Sequence, residues 1–208
     1  MTSSVKLYRN PKSGHCHRVE LMMALLGVAY ETVDLDMANG AHKAPDFLAL
    51  NPMGQVPAID DDGTILSDSN AILTYLVHRY GDAETWTGKT PVEKAEIQRW
   101  LSIAAGEIAS GPAAARLVKV FGAPLDHGAA QAKAHKLFEV MNAALDGRSF
   151  LVAERLTLAD ISAYSYVAHA PEGGVALDDY PNIAAWIARI EALPNFIGMA
   201  KSPIPAAA

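Results

Sequence analysis

The run Asn10-Pro11-Lys12-Ser13-Gly14-His15-Cys16-His17-Arg18 gathers a hydroxyl, two imidazoles and the only cysteine of the chain. Before it, the alternation in Val5-Lys6-Leu7-Tyr8 predicts a strand. After it, Val19, Met22, Met23 and Leu26 recur at three- and four-residue steps, which predicts a helix stopped by Gly27. A strand-to-helix turn leaves backbone N–H groups and the positive end of the helix dipole facing whatever binds there. Such a turn can hold an anion, and a thiolate is an anion.

Two further segments carry chemistry. In Asn51-Pro52-Met53-Gly54-Gln55-Val56-Pro57-Ala58-Ile59, a proline directly before a strand lacks the N–H that a ladder needs. A cis Val56–Pro57 bond would turn the Val56 N–H and C=O toward a ligand's backbone. A trans proline in an ordinary loop is the alternative, since only about 5% of X–Pro bonds are cis. Asp68-Ser69-Asn70 opens a helix. Asp and Ser are good caps and need no other role. The same pair could also set Ser69 and nearby N–H groups on a ligand carboxylate, with Asp68 on its ammonium, the two opposed charges of a free amino-acid end.

The elements that position these residues alternate as strand and helix up to about residue 82. Val5–Tyr8 and Tyr30–Asp36 read as strands, His17–Leu26 as a helix, and Pro45–Leu50 as a short helix. Val56–Asp60 and Thr64–Ser67 flank Asp61-Asp62-Gly63, a hairpin signal. A helix follows from Asp68 to near Gly81, with Ile72, Leu73, Leu76 and Val77 on its apolar stripe. This order predicts an α/β domain with a mixed sheet. Asp82–Pro91 reads as a linker. Beyond it strand signals vanish. Val92–Ala105 continues toward Phe121 with an interruption at Gly111-Pro112. His127–Leu145 is a helix closed by Gly147. Thr157-Leu158-Ala159-Asp160 is a capping-box variant opening another helix, and Asn182–Ala192 is the last, stopped by Pro194. The predicted domains are therefore residues 1–82, α/β, and 91–208, all helical. The Ala206-Ala207-Ala208 tail reads as disordered.

Bulk numbers narrow the function. The chain has 208 residues, half of them hydrophobic and 19% charged, as in ordinary globular proteins. A net charge of −6 argues against nucleic acid or an anionic membrane as the main partner. One cysteine excludes an internal disulfide framework and a cysteine-rich zinc site, and fits a reducing compartment. The N-terminus shows no apolar signal region, and no run of about 18 apolar residues predicts a membrane span. The expected location is the cytoplasm.

Taken together, Ser13-x-x-Cys16-x-Arg18 after a strand, Asn51-Pro52-x-Gly54-Gln55-Val56-Pro57, Asp68-Ser69 and Leu158-Ala159-Asp160 resemble the cytosolic glutathione S-transferases, bacterial serine type, over almost the whole chain. The resemblance implies a thioredoxin-like N-terminal domain that binds glutathione as co-substrate and an all-helical C-terminal domain that shapes the site of a hydrophobic electrophile. It also implies a homodimer and a role in detoxification. It assigns Ser13 as the catalytic hydroxyl that donates to the glutathione sulfur. Val56, before Pro57, would pair its backbone with the cysteinyl unit, with Gln55 beside it. Asp68 and Ser69 would hold the γ-glutamyl end. His42 would meet the glycine carboxylate, with Lys43 and a solvated loop histidine as the alternatives. His15 ranks second to Ser13, with a non-catalytic place on the rim.

The energetics suffice. A free thiol has a pKa near 8.5. A hydrogen bond to a charged acceptor is worth about 1.5–3 kcal/mol, which lowers that pKa by roughly one to two units. Cys16 has the spacing of the second member of a redox pair whose first member is Ser13, but one turn into the helix it reads as a small core residue. Tyr8, the only tyrosine at the end of the first strand, should face away from the site. In the helical half Trp100 reads as core, Arg116 and Tyr164 as lining residues, and Asp160 as a structural cap whose loss costs roughly 0.5–2 kcal/mol. Two other functions stay open: a glutathione-dependent disulfide or hydroperoxide reductase on the same fold, and a non-catalytic binding module.

Overall fold

The computed structural model describes residues 4–205, so the reading of Ala206–Ala208 falls outside the described residues. Two compact units divide the chain. One comprises Met1–Ala83 with Pro194–Ala200, the other Glu84–Leu193 with Lys201–Ala208.

The first unit is built on a mixed sheet of four strands in the order β2-β1-β3-β4. β1 (Val5–Arg9) pairs in parallel with β2 (Tyr30–Asp34) and antiparallel with β3 (Ala58–Asp61), which pairs antiparallel with β4 (Thr64–Ser67). The parallel pair needs a crossover, and α1 (Gly14–Leu26) supplies it. Two strands are shorter than expected: the second ends at Asp34, not Asp36, and the third begins at Ala58, after Pro57, because proline cannot donate to the ladder; β1 instead runs one residue further than expected, to Arg9.

Alternation sorts the side chains of β1. Val5 and Leu7 are fully buried, and Arg9 on the same face pairs with Glu20 of α1 and, at 2.7 Å, with Asp34. Tyr8 turns to the other face, where its ring lies 6.1 Å from Phe47 of α2 (Pro45–Leu50). α1 packs against α3 (Ser69–Tyr80). α1 ends as predicted at Gly27, whose φ of 68° places it in the left-handed region where a side chain is disfavoured.

The expected linker is not without structure: Ala83–Thr87 forms a short helix, α4. The second unit then contains helices only among its described residues. α5 (Pro91–Ile103) starts with proline in its first turn behind a Thr90 cap. The expected interruption at Gly111-Pro112 does not occur. The helix widens into π-helical turns over Ala104–Ala113 and continues as α6 (Ala114–Phe121). A wider turn accommodates a proline that has no N–H to give and whose ring crowds the preceding turn. Gly111 has its own reason: a Cβ there would stand 3.1 Å from the Ala134 nitrogen of α7 (His127–Ala144). α8 (Leu158–Ala168) is buried along nearly its whole length and packs on α5 and the widened segment. α9 (Pro181–Glu191) follows.

Candidate functional site

Ser13 occupies the N-cap of α1, with an extended backbone and its oxygen accepting from the Cys16 N–H at 3.4 Å. Cys16 itself is fully buried, and burial pushes its thiol up to about 12. The sulfur beside Ser13 is therefore a neutral thiol at pH 7, a weak acceptor, and no anion competes for the serine proton. The same burial settles the alternative for Cys16: it is core.

The start of α3 lies against the start of α1. Asp68 caps α3, accepting from the N–H groups of Asn70 and Ala71 at 3.0 Å each. It does so with φ 69° and ψ 121°, a conformation that L side chains rarely adopt. Strain of this kind costs on the order of 1–3 kcal/mol and collects at ligand sites. Asp68 is exposed, whereas Ser69 is buried. The Ser69 hydroxyl meets His15 Nδ1 at 3.1 Å and accepts from Arg18 Nη1 at 3.2 Å. Arg18 also donates to Asn70 Oδ1 at 3.1 Å. Capping and a site at the head of α3 are thus compatible.

The Val56–Pro57 bond is cis. Among the described residues, neither the N–H nor the C=O of Val56 takes part in a hydrogen bond of the sheet or of a turn. Pro57 is buried and Gln55 exposed. The loop ahead of them is pinned by Asn51 Nδ2, which donates to the Gln55 carbonyl at 2.7 Å. Lys43 Nζ donates to the carbonyls of Met53 and Gly54, 3.3 Å from each. Those bonds tie the 3-10 turn Ala41–Lys43, which carries His42, to the Val56 loop. Gly54 is required there: its φ is +60° and a Cβ would lie 2.8 Å from the His42 carbonyl oxygen. The expected residues therefore form two groups. Ser13, Asp68 and Ser69 join through His15 and Arg18, while His42, Gln55, Val56 and Pro57 share one loop system; Ala58, next after Pro57, pairs with Tyr8 in β1.

Arg18, part of the Ser13-x-x-Cys16-x-Arg18 pattern, had no expected role. Its signal was a basic residue two positions past Cys16, just before the apolar stripe that starts at Val19, and it is only 1% exposed. Two lining assignments are corrected. Arg116 is buried and bonded to Glu172 at 2.7 Å, and the Tyr164 hydroxyl donates to Glu191 at 2.8 Å, so both are structural. Trp100 is core, as expected. Asp160 forms the predicted capping box with Thr157 and accepts two further bonds, from Leu151 and Trp186. No group of three or more His, Cys, Asp or Glu side chains among the described residues could hold a metal ion, and no described helix is long and apolar enough to cross a membrane.

Comparison with known proteins agrees with this geometry. The glutathione S-transferase N-terminal domain matches residues 3–78 and the glutathione S-transferase C-terminal domain residues 126–194. Glutathione S-transferase 3 of Zea mays is 32% identical over 206 residues, 92% of this chain and 91% of the maize protein. The crystal structure of a glutathione S-transferase from Pseudomonas fluorescens superimposes with a TM-score of 0.86 at 31% identity, covering 95% of this chain and 99% of that one. A Drosophila mojavensis glutathione transferase homolog, solved with bound glutathione, gives 0.83 at 25% identity over 92% and 89%. The chain belongs to the glutathione S-transferase family. It is accordingly a transferase that uses glutathione as co-substrate, with the family's thioredoxin-like and helical parts.

Proposed function

We propose that the chain conjugates glutathione to an apolar electrophile and that Ser13 is its catalytic hydroxyl. The observation that carries this is the Ser13 position: an N-cap hydroxyl at the positive end of α1, beside a neutral sulfur, with its proton available. The glutathione thiol supplies the nucleophilic sulfur. Ser13 donates to that sulfur and favours the thiolate, with the α1 terminus adding its own field. Val56 offers an N–H and a C=O to an extended peptide, as one more strand would. Ser69 and the exposed Asp68 present a hydroxyl and a carboxylate to an amino-acid end. His42, with Gln55, borders the far side. Held in this way, the sulfur needs only a correctly placed electrophile, so positioning accounts for the remaining acceleration.

Family membership also supports a homodimer, a cytoplasmic location and a part in detoxification, and light scattering on the purified chain tests the first. Ser13→Ala tests the hydroxyl. It should lower kcat for a chloronitrobenzene by about tenfold or more, the value of one charge-assisted hydrogen bond, with the glutathione Kd nearly intact. Unchanged kcat sinks the assignment. A buried, un-ionised Cys16 favours conjugation over thiol–disulfide chemistry on the protein itself.

A further inference from the structure

Ser69 is buried at the first position of α3, and its hydroxyl stands between Arg18 Nη1 at 3.2 Å and His15 Nδ1 at 3.1 Å. A guanidinium can only donate, so Arg18 takes one lone pair of Ser69 Oγ. Burial, with the Arg18 charge close by, holds His15 down at about 3, so its imidazole is neutral. A neutral imidazole has one donor nitrogen and one acceptor nitrogen. Two arrangements satisfy the contact. With the ring proton on Nε2, the Ser69 O–H donates to Nδ1 and is withheld from anything outside. With the ring proton on Nδ1, the imidazole donates to Ser69 Oγ and the serine proton is released to an external acceptor.

We propose that His15 is a positioning residue for the amino-acid end of the co-substrate: when a carboxylate arrives at Ser69, His15 passes from the Nε2–H to the Nδ1–H form and turns the serine hydroxyl onto that carboxylate. The proposal rests on the glutathione reading and concerns the α-carboxylate of the γ-glutamyl unit. The balance is simple. Water takes one proton from Nε2 and returns one to Nδ1, the ring stays neutral, and the serine hydroxyl exchanges one acceptor for another without ionising. His15 keeps part of its surface in solvent, which allows that exchange. Arg18 donates to Ser69 in both states and keeps the oxygen in place. His15 thereby separates the two jobs at this end of the site. Arg18 fixes where the serine oxygen sits, and His15 decides where its proton points.

The experiment compares the wild-type chain, His15→Phe and His15→Asn, each first shown by melting to be folded. Calorimetry gives Kd for glutathione and for an analogue whose γ-glutamyl α-carboxylate is replaced by hydrogen; turnover of a chloronitrobenzene gives kcat. Phenylalanine can neither accept from nor donate to Ser69, so nothing turns the serine proton onto the carboxylate, and glutathione should bind several-fold more weakly, the value of one lost neutral hydrogen bond, with kcat nearly unchanged. Asparagine, whose amide can flip to donate or accept, should recover most of that loss. Against the analogue, His15→Phe and wild type should bind alike. In the wild-type chain, nitrogen-15 histidine spectra should show the His15 proton on Nε2 alone and on Nδ1 with glutathione bound.

An equal penalty on both ligands would make His15 merely structural and overturn the proposal, as would a loss confined to kcat. The spectra decide even where a variant fails to fold: an unchanged tautomer with glutathione bound removes this proposal alone. Wild type that binds no glutathione at all removes the underlying reading with it.

Discussion

Replacing Asp160 should destabilise the helical unit far beyond the loss of a helix cap. The carboxylate is fully buried and accepts from Leu151 N at 2.9 Å, Thr157 N at 3.0 Å, Thr157 Oγ1 at 3.1 Å and Trp186 Nε1 at 3.0 Å. Leu151 is 2% exposed and Thr157 and Trp186 are fully buried, so the donors have no water to fall back on. Each orphaned donor costs about 1–3 kcal/mol. Two effects reduce the sum. The Thr157 hydroxyl can rotate to another acceptor, and burial already pushes the Asp160 carboxyl above its usual range, so its removal returns some desolvation cost. About 3–5 kcal/mol remains for Asp160→Ala, as for other broken buried charge networks. In a chain of this size that corresponds to a melting temperature lower by roughly 6–20 °C. Asp160→Asn keeps one oxygen for two donors but opposes its amide to the Thr157 N–H, and should fall between. Urea titrations followed by tryptophan fluorescence measure all three chains. Trp186→Phe in both backgrounds completes a double-mutant cycle whose coupling should be about 1–3 kcal/mol. A loss below about 2 kcal/mol for Asp160→Ala would mean that only the cap counts, and would refute the four-donor account.

Two other outcomes follow from the buried groups. Cys16, with its thiol raised to about 12 by burial, should resist iodoacetamide in the native chain at pH 8 and alkylate in urea, as mass spectrometry would show; rapid native labelling would contradict its place in the core. Burial alone would raise the Glu172 carboxyl, but bonds from His169, the Ser202 N–H and Arg116 outweigh it and hold the group below its usual range. A depressed carboxyl stabilises above its unfolded pKa of about 4.3 and loses that contribution as pH falls through the lower folded value. Glu172→Gln should therefore be less stable at pH 7, by about 3–5 kcal/mol with Arg116 left buried, and its urea midpoint should fall less steeply below about pH 4.3 than the parent's.

Local signals carried well from sequence to structure. The glycine stop at Gly27, the hairpin around Gly63 and the capping box at Thr157 each depend on residues within a few positions, and each formed, whereas α1 begins at Gly14 behind a Ser13 cap, three residues before its predicted start. Long-range pairing did not show. The contact of Arg18 with Ser69 joins residues 51 positions apart, and that of Arg116 with Glu172 joins residues 56 apart. Composition therefore left Arg18 without a role and placed Arg116 in a pocket lining. Pro112 misled for another reason: it is a helix breaker where the turn keeps its pitch, and here the turn widens instead. In the candidate site the residue types were legible, while the hydroxyl shared between His15 and Arg18 depends on a meeting of α1 and α3 that no local pattern encodes.

The first unit is not one continuous length of chain. Its last piece, Pro194–Ala200, returns after the whole helical half, and its Ile197 carbonyl accepts from His17 Nε2 at 2.9 Å. During synthesis, β1 to α3 are made roughly 110 residues before that piece exists, which at about 5–20 residues per second is an interval of about 5–20 seconds. Throughout it the nascent unit must hold together with the His17 face uncovered. Order of manufacture thus makes Pro194–Ala200, a segment synthesised after the helices, the closing piece of the domain that was begun first.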